Sequence, residues 1–276
     1  MMFVYRKWEE FCSHLASAGY ISIPACEISK DMQNYLVLKH DVETDVSHAY
    51  KIAQIENKHG HRGSYYVQAY LLDDKRNIEM LSEMQNMGHE ISYHYDVLDS
   101  CKGNIDKAID EFDKNILLFT TCGFDIKTLC QHGNPVIERN GYHSNRDFFR
   151  NERVKARYPE IYDIMVNFKE QIPTDYLYFS DAGQKFKLIY DPINNDVVNS
   201  DDKNIPYKNL NELMTALSDK KGNIISMHPH RWIDSALLFL LKKSLFKGIK
   251  LVVKVLRKIP LFNKIMSRYY YLAKKI

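Results

Sequence analysis

Five of the eleven histidines fall where short β-rich runs end. The ends read Lys39-His40-Asp41-Val42-Glu43, His94-Tyr95-Asp96, Gln131-His132-Gly133-Asn134-Pro135 and Met227-His228-Pro229-His230-Arg231-Trp232. One histidine at a strand end means little. Several of them joined by paired carboxylates suit a hard or borderline divalent metal held by imidazole and carboxylate. Asp41 and Glu43 are two residues apart. In extended chain both therefore point to one side, so that one can ligate while the other takes a proton from an attacking water. The competing account is a structural ion pair, in which a Lys or Arg compensates the like charges. His94 is the strongest ligand candidate of its strand. His132 is a ligand, a substrate contact or a brace for its loop, and His228 is a site residue. His230 is a site residue or a solvent-facing turn residue. His89 begins a strand at the opposite end and reads as structural.

These residues need elements that bring them to one face. Residues 35–40 read as a strand, 47–59 as a helix, 63–70 as a strand, and 77–87 as a helix stopped by Gly88. A strand over 90–94, a helix over about 104–119 and a strand over 126–131 follow. From 133 to about 208 the pattern is irregular, with short apolar pieces such as 175–180. A helix over 210–217 then leads into a strand over 223–227. Alternation of this kind implies parallel strands with crossover helices, hence an α/β sheet or barrel. In such folds working residues gather beyond the carboxyl ends of the strands, where the four histidine-bearing ends fall.

Composition narrows the class. Hydrophobic residues are 45% and charged residues 26% of the 276, which is globular rather than disordered or fibrous. The five cysteines lack CxxC spacing, so neither a disulfide framework nor a thiolate zinc site is expected. No signal peptide or spanning apolar run is evident, and a cytoplasmic location is expected. Of the 38 basic and 35 acidic residues, eleven and one respectively lie in 233–276. That leaves 27 basic and 34 acidic residues in 1–232, so the body carries −7 and the tail +10. In the tail, Lys243, Lys247, Lys250, Lys254 and Lys258 recur on one helical face, and Leu241, Leu245, Ile249, Val252 and Leu256 form the opposing stripe. A basic amphipathic helix of this kind binds an anionic membrane surface, or packs its apolar stripe on the acidic body. Nucleic acid is not expected, because no recognition motif accompanies the charge.

Taken in order, these pieces resemble the polysaccharide deacetylase (NodB-homology, carbohydrate esterase family 4-like) superfamily, in the branch whose first motif reads His-Asp-Val-Asp/Glu. The matching segments are 39–43, 55–60 before 64–67, 88–96, 132–135, 178–183 and 228–232. The resemblance, which runs from about residue 35 to 232, implies an irregular, partly open (β/α) barrel, expected here as a domain over 1–232; the basic amphipathic tail over 233–276 lies outside the resemblance. The resemblance also implies one divalent metal ion, commonly zinc, with Asp41 as catalytic base and His228 protonating the leaving group. Glu43, His94 and His132 are the expected metal ligands, and His40, Tyr95, Asn134 and Trp232 the expected substrate contacts. Two departures from the family pattern stand out. The usual second histidine of the second motif is Leu98 here, so the third ligand comes from elsewhere: His132, or less favourably Asp96 or Asp99. The adjacent Asp-Asp of the first motif is also replaced. Either His40 takes the base position beside Asp41, or Asp41 and Glu43 divide the two roles; the second is preferred because both share a face. The activity implied is removal of acetyl groups from N-acetylated sugars, lipid-linked ones included, in surface-polysaccharide or lipopolysaccharide assembly, with the tail placing the enzyme peripherally at the inner face of the membrane. The alternatives are a non-catalytic sugar-binding or scaffolding protein on the same fold, or an amidohydrolase acting on a small non-sugar amide.

Truncation at Ile233 is expected to remove sedimentation with phosphatidylserine-containing liposomes. Binding that survives the truncation shows that the tail is not the membrane element.

Overall fold

The computed structural model describes residues 3–134, 137–172, 175–193 and 205–235. The expected amphipathic helix lies outside the described residues. Eight strands run in chain order: β1 (Leu36–Val42), β2 (Ser64–Val67), β3 (Glu90–Tyr95), β4 (Thr128–Gln131), β5 (Tyr162–Asp163), β6 (Tyr176–Ser180), β7 (Lys187–Ile189) and β8 (Gly222–Met227). The longer helices are α1 (Tyr5–Ser17), α2 (Val46–Lys58), α3 (Lys75–Asn86) and, after the single turn α4 (Val97–Ser100), α5 (Ile105–Thr121). Short helices α6 (Asp147–Arg150), α7 (Glu152–Arg157), α8 (Phe168–Gln171) and α9 (Leu210–Thr215) complete the set.

The strands form one curled sheet in the order β5-β4-β3-β2-β1-β8-β6-β7, parallel throughout except for β7 against β6. This is an eight-stranded half-barrel, consistent with a partly open β/α barrel; among the described residues β5 and β7 do not pair. Helices α2, α3 and α5 are crossovers between successive parallel strands, as the alternation of patterns requires. Their starts are set chemically: Asp45, Asp74 and Asn104 each accept a backbone N–H of the first turn.

Strand alternation divides the molecule into two layers. On β1, Leu36, Leu38 and Val42 face outward and join the large helix-covered core, whereas Val37 faces the inside of the half-barrel. The inner face is unusually polar: Lys39, Asp41, Ser64, Glu90, Ser92, His94, Thr128 and Ser226 are all buried. The helix α1 has no counterpart among the sequence-derived elements. Its Trp8, Phe11, Cys12 and Leu15 are buried against the outer layer, where Trp8 meets Trp232 at 5.1 Å between ring centroids. The strands β5 and β7, of two and three residues, lie within the stretch that reads as irregular.

A buried carboxylate fastens this outer layer to the back of β1. Glu56 of α2 is 0% exposed and accepts from Trp8 Nε1 at 3.1 Å and Tyr65 Oη at 2.7 Å. His40 Nε2 lies 2.9 Å from its Oε1, close enough for charge attraction though not aligned as a hydrogen bond. His89 has the structural place expected of it: it accepts from the Gly63 N–H and is paired with the Ala53 carbonyl. Burial would raise the Glu56 carboxyl, but His40 foremost, with His89 and Tyr65, holds it below its ordinary value. Glu56→Ala orphans three partners, so we expect a loss of about 3–5 kcal/mol in urea unfolding at pH 7. Because the folded-state value is depressed, this contribution is complete above the unfolded value and is lost as pH falls. The gap between wild type and variant therefore narrows below pH 4.5.

Candidate metal centre

At the carboxyl ends of the strands the inner face gathers Asp41, Glu43, His94 and His228 in one cleft of about 210 Å³. Each arrives by the same rule. Asp41 and Glu43 are two apart on and just past β1, His94 is the inward residue next to the end of β3, and His132 follows β4. His228 follows β8. The His132 N–H donates to the Tyr95 carbonyl at 2.7 Å, extending the β3–β4 ladder by one residue and fixing the imidazole beside His94. Its own carbonyl accepts from Asn145 at 2.9 Å, and Asn145 is held in turn by Asp99.

Three donor atoms converge. His94 Nε2 is 3.2 Å from His132 Nδ1 and 3.7 Å from Glu43 Oε1, and His132 Nδ1 is 2.9 Å from the same carboxylate oxygen. Tetrahedral zinc with N and O ligands at about 2.0–2.2 Å needs donors about 3.3–3.6 Å apart. The three edges straddle that value, so the set has the size of one face of such a site. Its remaining chemistry also fits. His94 Nδ1 is 3.0 Å from the Cys130 carbonyl, which places the ring proton there and leaves Nε2 bare. Burial pushes the His94 imidazole below its ordinary value, which favours the neutral, ligating form. Burial would raise Glu43, but the imidazole of His132 foremost, with His94 and His228 nearby, holds it well below the carboxylate range.

A second grouping, Asp41, His94 and Cys130, is also close enough to hold an ion. Charge decides against it. Lys39 Nζ sits 2.5 Å from Asp41 Oδ1, buried at 1% exposure, so a cation already occupies that side. Burial also pushes the Cys130 thiol well up, against the thiolate that a metal requires. The described cysteines are all free.

Around the donors, Asp41 and His228 form a second tier. Burial alone would raise Asp41, but Lys39 chiefly, with His94 and His228, brings it to about 2. Its Oδ2 lies 3.9 Å from His228 Nε2, which is also 3.7 Å from Glu43 Oε1. On its other side His228 Nδ1 donates to Asp181 Oδ1 at 2.6 Å, and the His228 backbone N–H donates to Asp181 Oδ2 at 3.0 Å. Arg231 donates to Asp181 Oδ1 at 2.7 Å; against the raising effect of burial it keeps this carboxyl below its ordinary value. His228 is thereby fixed with Nε2 toward the cleft.

Of the expected substrate contacts, His40, Tyr95 and Trp232 are not brought to this cleft. His40 and Tyr95 each neighbour an inward residue, and alternation turns both outward. His40 goes to Glu56, and Tyr95 donates to Asp163 at 2.6 Å. Trp232 is 0% exposed, packed on Trp8 and Phe3. Asn134 lies in the turn after His132, its carbonyl accepting from Arg139, and the wall beside it is Gly133. Leu98 is buried in the core, because the chain turns into α4 after Tyr95 and carries that position away from the cleft. Asp99, a weaker ligand candidate, is used up by Arg139, Tyr142 and Asn145, and Asp96 belongs to neither donor group. The residues that sequence reasoning passed over are Lys39, Asp181, Arg231 and Cys130. Lys39 was discoverable from the two-residue spacing that pairs Asp41 with Glu43. Asp181 would have followed from the strand-end rule had 176–180 been read as a strand.

Comparison with protein-family models, curated proteins and solved structures returns no match. The described helices include none long and apolar enough to cross a membrane.

Titration of the full chain with Co(II) is expected to saturate at one ion, without a thiolate-to-cobalt charge-transfer band. His132→Ala or Glu43→Ala should weaken binding at least about 100-fold, while Cys130→Ser leaves it unchanged. Loss of binding in Cys130→Ser alone would move the ion to the Asp41 side.

Proposed function

We propose that this protein is a metal-dependent hydrolase that removes acetyl groups from N-acetylated sugars in surface-polysaccharide or lipopolysaccharide assembly. The resemblance to the NodB-homology superfamily supports this reading. The observation that carries it is a triangle of His94, His132 and Glu43 donors flanked by Asp41 and by a His228 anchored through Asp181. In this reading the half-barrel is of the NodB type and the ion is zinc.

Glu43, His94 and His132 would hold the zinc ion, which would supply Lewis acidity and lower the pKa of a water towards about 7. The protein's own groups then divide the proton work. Asp41 is held ionised by Lys39, which engages Oδ1 and leaves Oδ2 to the cleft. That oxygen accepts the proton of the attacking water while the water oxygen bonds to the acetyl carbon. Its low proton affinity makes the proton easy to pass on toward the imidazole nearby. His228, protonated at Nε2, gives its proton to the nitrogen as the C–N bond breaks, and Asp181 with Arg231 holds the ring in place for that transfer. Acetate and the free amine leave, and the proton on Asp41 restores His228.

We expect zinc-dependent acetate release from an N-acetylated sugar, lost on chelation. Asp41→Asn and His228→Ala should each lower kcat by about 10²–10⁴ with the bound metal unchanged. Asp181→Asn should lower kcat less and shift the limb of the pH profile assigned to His228. A zinc-loaded protein that releases no acetate from any acetylated sugar removes the hydrolase reading.

A further inference from the structure

One buried amide at the carboxyl ends of the strands has no task in the chemistry above. Gln68 directly follows β2 and is 6% exposed. Its backbone stays extended, with φ −68° and ψ 135°, and its N–H donates to the Val42 carbonyl at 3.2 Å, prolonging the β1–β2 ladder. Alternation along β2 turns Tyr65 and Val67 to the outer core and Ser64 and Tyr66 inward, so Gln68 is inward as well. Register then fixes its neighbours. Val42 pairs with Val67 and Val67 with Tyr93, so one step further along Gln68 stands between Glu43 and His94. Adjacent strands are about 4.8 Å apart, which puts the amide within reach of both ligand side chains.

Its Nε2 is buried, and among the described residues no acceptor meets it. A buried N–H left without a partner is costly and rare, so its place beside two ligand residues calls for an acceptor supplied by the centre itself. The Glu43 carboxylate fits. The His132, His94 and His228 nitrogens all approach its Oε1, at 2.9, 3.7 and 3.7 Å, which leaves Oε2 to another donor. The Glu43–His132 edge is also the shortest of the triangle, and an ion needs it opened to about 3.3–3.6 Å. His132 Nδ1 must then turn a lone pair to the ion and can no longer offer a proton to Glu43. The carboxylate is re-seated and loses a supporting donor in the same event, and Gln68 is the neighbour able to replace it.

We propose that Gln68 is a positioning residue of the metal centre, whose Nε2 donates to Glu43 Oε2 while Oε1 ligates the ion. The amide orients the carboxylate for binding through one oxygen, and the ion in turn gives the amide the partner it otherwise lacks. Support of this kind, from a residue outside the ligand set, is worth about 10- to 100-fold in metal affinity. The inference rests on the donor triangle and is independent of the reaction that the ion serves.

Gln68→Met, which keeps the bulk and removes the donor, separates this role from a structural one. Co(II) titration of the chelator-treated full-length variant should give an affinity about 10- to 100-fold below wild type. Its urea midpoint without metal should equal or exceed that of wild type, because no hydrogen bond is lost and an unmet buried donor is removed. At a fixed excess of Co(II) the midpoint should therefore rise less in the variant than in wild type. Gln68→Leu should behave alike. Unchanged Co(II) affinity overturns the proposal. So does a lowered midpoint without metal, or failure of both variants to fold, since either marks Gln68 as structural. His132→Ala separates the proposal from the centre it rests on. Binding lost in His132→Ala but unchanged in Gln68→Met leaves the centre standing without this support. Binding kept in His132→Ala, or a wild type that takes up no Co(II), removes both.

Discussion

Burial of three consecutive ionisable residues in the central strand is the constraint from which the rest of this structure follows. Lys39, His40 and Asp41 are each at most 7% exposed. An unpaired ion in such a place costs several kcal/mol, so every charge must find a partner within reach. Alternation sends Lys39 and Asp41 inward, where they neutralise each other, and His40 outward to Glu56 of the first crossover helix. The first pairing determines which side of the cleft is left for a cation. The second locks α1, α2 and β1 together through Trp8 and Tyr65, so the strand that carries the chemistry is pinned from behind. The same alternation leaves Glu43 inward and free of Lys39, to share His94 and His132.

Much of this was legible in the residues. Strand and helix alternation, the parallel sheet, the strand-end location of the histidines and the common face of Asp41 and Glu43 all rest on local periodicity, which short segments carry intact. Parity was not applied to the expected substrate contacts. His40 and Tyr95 each stand next to an inward residue, and adjacency along a strand means opposite faces; Trp232, past the end of β8, packs into the outer core instead. The helix α1 was overlooked although Trp8, Phe11, Cys12 and Leu15 have helical spacing. The stretch from 133 to 208 was hardest. Its strands have two to five residues, too short for a period to declare itself, and their pairing depends on partners far along the chain. Asp181 was hidden for that reason. No local pattern reports that a residue will meet His228, 47 positions later.

The two tiers of the site differ in how they are held. The donor triangle is built from three strands and kept in shape by backbone contacts, such as His94 on the Cys130 carbonyl and the His132 amide on Tyr95. The acid–base tier is held by ion pairs with residues outside the triangle, Lys39 for Asp41 and Asp181 with Arg231 for His228. Backbone ladders set positions, while charges set proton affinities. The separation lets one tier be altered while the other keeps its geometry.

The edge of the sheet beyond β3 is slight: β4 has four residues and β5 two. Few ladder bonds hold it, and His132 lies just past that edge. An ion shared by Glu43, His94 and His132 would therefore join β1, β3 and the segment after β4 across the intervening β2, as a cross-link that no hydrogen bond in the sheet replaces. Its binding energy would be felt as resistance of this edge to opening. Occupancy of the centre would thus be readable in amide exchange and proteolysis along β4, far more than in the well-paired middle of the sheet.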